Sequence, residues 1–222
     1  MTKRRAKGEA RERLVIGAAA QLIAERGLAN VRIADIAERA AMSTGHVSYY
    51  FPSKSELLMR AIRQSEETFT DVLVDQITTI RDPWARLTRL IELSAATGPG
   101  DPGWVLWFEV WSNAATDASV AKVHDELDRR AKAILLNVIT YGCEQGAFRT
   151  DDPDRVALVL AALIDGLSIQ LTLGAGELTR RHLLDVALAA AQTQLGHATE
   201  PPAAPRRSPT RAAGPRKAPT AV

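Results

Sequence analysis

Residues 33–58 read IADIAERAAMSTGHVSYYFPSKSELL, and the fold follows from this stretch. Ile33, Ile36, Ala37 and Ala40 recur at three- and four-residue spacing, the mark of a short helix with one apolar face. Met42-Ser43-Thr44-Gly45 then breaks the pattern. Ser43 carries a side-chain oxygen that satisfies free N–H groups at a helix start, so a third helix is expected through Tyr49. Phe51-Pro52 ends it, because the residue before a proline avoids the helical region. Ser53 caps a longer helix and Glu56 completes a capping box. Leu57, Ala61, Ile62, Phe69, Leu73, Ile77 and Ile80 mark its buried stripe. Two short helices joined by a tight turn fit a helix-turn-helix.

Helical periodicity extends on both sides. Upstream, Leu14, Ala18 and Leu22 with Val15, Ala19 and Ile23 give a helix of about four turns, stopped by Gly27. Lys3, Arg4, Arg5 and Lys7 read as a mobile basic arm over residues 1–8. Downstream, Pro83 opens a helix with Trp84, Leu87, Leu90 and Ile91. Residues 98–103 are a Gly/Pro loop, and Trp104, Trp107, Phe108 and Trp111 follow at helical spacing. The next helix runs through Val120, Leu127 and Val138 to near Gly146. Asp152-Pro153 opens a strongly apolar one over 156–171, ended by Gly174 and Gly176, and Thr179 caps a last helix through Leu195. Six of the eleven prolines lie in 197–222, a segment expected to be disordered. The fold class is all-α with about nine helices. The expected division is an arm (1–8), a helix-turn-helix head (9–63), a ligand-binding and dimerisation body (64–196) and a Pro/Ala/Arg-rich tail (197–222).

Composition narrows the function. The chain has 222 residues, 46% of them hydrophobic, enough for a packed core. Residues 1–63 hold 12 Lys and Arg against 6 Asp and Glu, residues 64–196 hold 11 against 19, and the tail 5 against 1. A basic head on an acidic body points to a polyanionic partner for the head. No apolar run approaches the roughly 18 residues of a membrane span and no apolar leader begins the chain, so a cytoplasmic setting without membrane contact is expected. The lone Cys143 excludes an internal disulfide and reads as a small buried residue. His46, His124, His182 and His197 form no metal-spaced pair, and there is no phosphate loop or nucleophile elbow. Neither metal, cofactor nor enzymatic chemistry is expected. A helical adaptor without DNA and a DNA-binder that ignores small molecules remain rival readings.

The 33–58 stretch closely resembles the DNA-binding signature of the tetracycline-repressor (TetR) family. Ile36-Ala37, Ala40, Ser43, Gly45, Tyr49, Phe51, Lys54 and Leu57 fall where that family's motif expects them. The resemblance implies that Ser43, Thr44 and His46 sit at the groove-facing start of a recognition helix and that Gly45 permits close approach. It implies phosphate contacts for Tyr49, Tyr50 and Lys54. Two residues depart from the motif. Arg32 stands where the family usually has threonine; it cannot cap a helix but can reach phosphate or a base edge. Ala41 stands where glycine is usual, and carries strain if the turn needs φ > 0.

The second half resembles the effector domain of the choline-responsive BetI-type branch of that family. The matching stretches are WVLWFEVWSNA at 104–114, H-x-x-L-x-R-R at 124–130 and DDPDRVALVLAALIDGLSIQLTLG at 151–174. The resemblance implies a homodimer paired through the last two long helices, a pseudo-palindromic double-stranded DNA operator, and a repressor whose DNA affinity is lowered by a small molecule. Trp104, Trp107, Phe108 and Trp111, with Glu109 and Asp165 nearby, suit a cationic effector. Equally, the tryptophans are core residues and Asp165 pairs with another helix. The basic tail either adds nonspecific attraction for phosphate or is merely solvated.

Overall fold

The structure is a computed structural model and describes residues 3–174 and 176–196. The tail expected to be disordered lies outside the described residues. Those residues form nine α-helices and no strand: α1 (Lys3–Arg26), α2 (Ile33–Arg39), α3 (Thr44–Tyr50), α4 (Lys54–Thr78), α5 (Pro83–Ser94), α6 (Pro102–Ala114), α7 (Ala118–Glu144), α8 (Pro153–Thr172) and α9 (Arg180–Leu195). A single 3-10 turn, Leu28–Asn30, links α1 to α2. The segment expected as a mobile arm is instead the first part of α1, which begins at Lys3.

The expected caps are made. Ser43 Oγ accepts from the His46 N–H at 3.3 Å, Ser53 from Glu56 at 3.0 Å, Asp152 from Arg155 at 2.9 Å and Thr179 from His182 at 3.2 Å. At Ser53 the box is half made, because the Glu56 carboxylate pairs with Arg60 at 3.1 Å. At α2 the cap is reversed. Arg32 has no side-chain lone pair to offer, and its own N–H donates to Asp35 Oδ2 at 3.0 Å.

α2 ends in a Schellman motif. Met42 N–H donates to Ala37 O at 2.8 Å and Ala41 N–H to Glu38 O at 3.0 Å. This closure needs a left-handed residue at position 41, and Ala41 adopts φ 53, the one non-glycine residue with positive φ among the described residues. The strain anticipated for this alanine is therefore present.

Three apolar clusters hold the fold. The first joins α1, α2, α3 and the start of α4 around Leu22, Ile23, Ile36, Val47, Phe51 and Leu58. It continues without a break into Leu106 and Val110 of α6 and Val120, Val123 and Leu127 of α7. The expected boundary near residue 63 thus falls inside one continuous helix, α4, and across a shared core. The second cluster packs the end of α4 with α5, α7, α8 and α9. The third is small: Ala95, Ala96, Leu171 and Leu183, with Trp104 against it.

α8 corrects one expectation. By length and composition it is long and apolar enough to cross a membrane. Val156, Leu160, Ile164 and Leu171 are buried in the core, whereas Leu158, Val159 and Leu173 are 54%, 39% and 66% exposed. The helix is apolar on two faces and one chain buries only one of them.

Ala41→Gly should stabilise the protein by about 0.5–1 kcal/mol. Relief of left-handed strain outweighs the added freedom of the unfolded chain. Urea unfolding monitored by circular dichroism reads this directly; an unchanged or lower midpoint would show that the turn is unstrained.

Candidate functional site

α3 presents a polar, exposed start and a buried rear. Ser43, Thr44 and Gly45 are exposed, while Val47 and the following Phe51 are buried in the head core. A Cβ added at Gly45 would meet nothing within 4 Å. No neighbour inside the chain calls for glycine there. Tyr49 is 82% exposed. Arg32 and Lys54 flank the helix and are exposed as well.

The other expected contacts sit differently. His46 is half-buried, its ring edge-on to Tyr50 at 5.2 Å, and its Nε2 is buried with no partner among the described residues. Tyr50 is half-buried, with its ring 6.4 Å from Phe51 and its hydroxyl near Gly8 of α1. Lys54 Nζ donates to the Ala29 carbonyl at 3.2 Å and the Leu28 carbonyl at 3.4 Å, which ties α4 to the 3-10 turn. Arg39 holds Glu25 through two bonds of 2.6 and 2.9 Å, fastening α2 to α1. Six of the expected residues, Arg32, Ser43, Thr44, Gly45, Tyr49 and Lys54, are therefore exposed, and His46 and Tyr50 are half-buried.

The body holds a partly open cavity of about 370 Å³ between α4, α5, α6, α7 and α8. Trp104, Trp107 and Trp111 form one wall, with ring centroids 6.1 Å apart for Trp104–Trp111 and 5.9 Å for Trp107–Trp111. Their orientation is set by anchors. Asp101 caps α6 by accepting from Gly103 and Trp104 N–H groups at 3.0 and 3.2 Å. Its other oxygen accepts from the Thr97 hydroxyl and N–H at 2.6 and 2.9 Å. Trp107 Nε1 donates to Glu66 at 2.9 Å and Trp111 Nε1 to His124 Nε2 at 3.1 Å. The N–H edges of Trp107 and Trp111 are thus occupied, and their rings stack at an interplanar angle of 30°.

The charges around the wall are unbalanced. Glu66, Asp101, Asp128 and Asp165 line the cavity, against Lys132, which Asp128 binds at 2.7 Å. Asp165 makes no hydrogen bond or ion pair among the described residues, so the expected pairing with another helix is absent. Burial pushes its carboxyl above the ordinary aspartate range and Asp128 adds to this, opposed by Lys132 and His124. Burial also raises Glu66, opposed by the bond from Trp107. Burial acts in the same direction on Asp101, but its hydrogen bonds from Thr97, Trp104 and Gly103 prevail and hold it below the ordinary range.

Two expected contributors are elsewhere. Phe108 is not among the lining residues; its ring lies 5.8 Å from that of Trp111. Glu109 points from α6 toward the head, with an oxygen 3.0 Å from where a Cβ of Gly27 would be. The helical turn accounts for Glu109, which points well away from 104, 107 and 111; Phe108, four residues after Trp104, stands at the edge of the tryptophan face and outside the lining. Glu66, Asp101, His124 and Asp128 were missed by the sequence reading. His124 stood within a quoted motif; Glu66 lies in a charged stretch of α4 that reads as a solvated face.

A carboxyl whose pKa is raised by folding contributes stability below its unfolded value and loses it as pH rises through its folded value. Asp165→Asn should therefore raise the thermal stability of the ligand-free protein at neutral pH. The gain should fade as pH falls through the raised folded value and be gone below the ordinary aspartate range. A variant less stable than the parent at neutral pH would show that the carboxylate is satisfied.

Comparison with known proteins bears on both regions. Residues 15–61 match the family model of bacterial regulatory proteins of the tetR family, and residues 83–196 match that of the BetI-type transcriptional repressor C-terminal domain. The HTH-type transcriptional regulator BetI of Burkholderia ambifaria is 29% identical over 181 residues, 81% of this chain and 91% of that protein. BetI of Rhizobium meliloti is 29% identical over 164 residues, 73% of this chain and 78% of that protein. A transcriptional regulator from Saccharomonospora viridis, solved in complex with choline, is 33% identical with a TM-score of 0.78, covering 85% of this chain and 98% of that one. These proteins are regulators and not enzymes, and the matches span both the head and the body. The chain belongs to the TetR family of DNA-binding transcriptional regulators, with a C-terminal half of the BetI repressor type.

Proposed function

We propose that this regulator is a cytoplasmic homodimeric repressor that leaves its operator when a small organic cation enters the tryptophan-walled cavity. The observation that carries this reading is the wall itself: three indole faces beside the carboxylates of Glu66 and Asp165. Aromatic faces attract a quaternary ammonium through their quadrupoles, worth about 2 kcal/mol when desolvated. A bound cation also offsets the desolvation of the half-buried Glu66 and Asp165 carboxylates. The choline bound in the related Saccharomonospora viridis structure supports the same chemical class.

Dimerisation uses α8 and α9. The exposed Leu158, Val159 and Leu173 on α8 gain burial against a second copy. Two recognition helices then meet two half-sites about 34–36 Å apart, or a multiple of that. Thr44 and Gly45 approach the base edges, while Arg32, Tyr49 and Lys54 meet the backbone. His46 and Tyr50 act from behind, positioning α3 by packing.

The link between the two sites is α6. Its tryptophans face the ligand, and its Leu106 and Val110 belong to the head core. A cation that favours one seating of α6 favours one placement of the head, and so shifts the population of head spacings. The coupling expected for such a device is about 1–3 kcal/mol.

For the DNA role, Gly45→Leu should leave stability within about 0.5 kcal/mol, since the added side chain meets open space. It should nonetheless reduce binding to the operator at least tenfold in fluorescence anisotropy. Arg32→Ala should lower the slope of log affinity against log salt by about one. Normal operator binding by Gly45→Leu would remove α3 from the groove.

For the effector role, thermal shifts of the full chain against choline, betaine, polyamines, fatty acids and neutral aromatics separate the classes. A cation at about 100 times its dissociation constant should add about 2.7 kcal/mol. Trp107→Ala should weaken that binding roughly tenfold. Shifts with acids or neutral compounds alone, or silence across the panel, would overturn the cation reading.

A further inference from the structure

The cavity is larger than choline needs. A trimethylammonium with a hydroxyethyl arm has seven heavy atoms. Granting each the volume of a liquid water molecule, about 30 Å³, it fills roughly 200 Å³. The inner cavity alone is about 370 Å³. A second cavity of about 360 Å³ adjoins it between α4 and α7. Glu66, Phe69, Leu90, Ser94, Leu127 and Ala131 line both.

The character of this common boundary is largely apolar. Leu90 and Leu127 are aliphatic and buried against the core, Phe69 is 38% exposed, and Ala131 is the smallest side chain on it. Beyond the boundary, Leu73 and Ile134 continue the apolar lining. The outer rim carries Glu67 and Asp71 opposite Arg130. Taken together, the two neighbouring cavities offer an aromatic, anionic end, a largely apolar shared boundary and, in the second cavity, a charged rim.

Resting on the cation reading above, we infer that this regulator responds to an elongated organic cation, a quaternary ammonium head carrying an apolar chain. The head sits against Trp104, Trp107 and Trp111. The chain passes Phe69 and Ala131 and lies in the outer cavity on Leu73 and Ile134. Choline is a minimal fragment of such a ligand: it fills the cage and leaves the outer cavity empty.

A chain-length series tests this. Binding of choline and of ethyl-, butyl-, hexyl- and octyl-trimethylammonium to the full chain is measured by isothermal titration calorimetry, below micelle-forming concentrations. Affinity should rise about threefold to fourfold per methylene, the worth of burying a CH₂ group, until the chain reaches the rim. Ala131→Phe narrows the boundary, and Thr70→Trp fills only the outer cavity, which Thr70 lines. Both variants should flatten the series, and Thr70→Trp, which lies outside the tryptophan-walled cavity, should leave choline affinity within about twofold. Choline binding that weakens as the chain lengthens, or a series unaltered by both variants, would overturn the elongated ligand while leaving the cation reading intact. No binding by any member, choline included, would overturn the two together.

Discussion

The structure depends on α6 belonging to two environments at once. Leu106 and Val110 are buried with side chains of α1 and α4 in the head core. Trp104, Trp107 and Trp111 wall the cavity in the body. An interior packed to crystal-like density does not let one face of a helix move while the other stays. The indoles cannot shift without pressing on the cluster that seats α3. In the mechanism proposed above, coupling between ligand and DNA is a packing property, carried by a helix of thirteen residues.

The second constraint is electrostatic. The body carries 19 acidic against 11 basic residues, and part of that excess is gathered inside. Asp101 is satisfied by four donors and serves structure: it caps α6 and fastens the preceding loop. Asp165 has no such donors and is held protonated more readily than an exposed aspartate, at a cost to the folded state. Two aspartates in one cavity thus have opposite characters, decided by what their oxygens touch. Asp101 sets the geometry of the wall; Asp165 is a charge waiting for a partner.

Much of this was legible in the residues. The caps at Ser43, Ser53, Asp152 and Thr179, the prolines opening α5 and α8, and the glycine after α1 are local signals with local causes, and they mark the helices correctly. Ala41 is the sharpest case: an alanine where a turn wants glycine foretold a left-handed strain, and φ 53 is observed. Periodicity failed where neighbours decide. The basic N-terminus has no apolar pattern, yet its backbone continues α1. Phe108 shares a sequence run with the tryptophans but not their place in the cavity lining. Lys54 donates to the carbonyls of residues 28 and 29, a contact between elements that its place in the motif did not announce. Glu66 gave no sign, because a carboxylate in an amphipathic helix reads as solvated until a tryptophan 41 positions away is folded against it.

The sequence by itself determined the all-α class, the order of the helices, the helix-turn-helix and the tryptophan-rich helix. Each rests on interactions within a few residues, where capping and the 3.6-residue period act. Only the tertiary structure decided which polar groups meet: Trp107 with Glu66, Trp111 with His124, and Asp165 with no hydrogen-bond partner among the described residues. Those pairings join residues from different helices, and their geometry comes from how side chains of α4, α6, α7 and α8 interdigitate. The same packing leaves a cavity whose size and charge no single segment encodes. Local chemistry writes the helices; long-range packing writes the site.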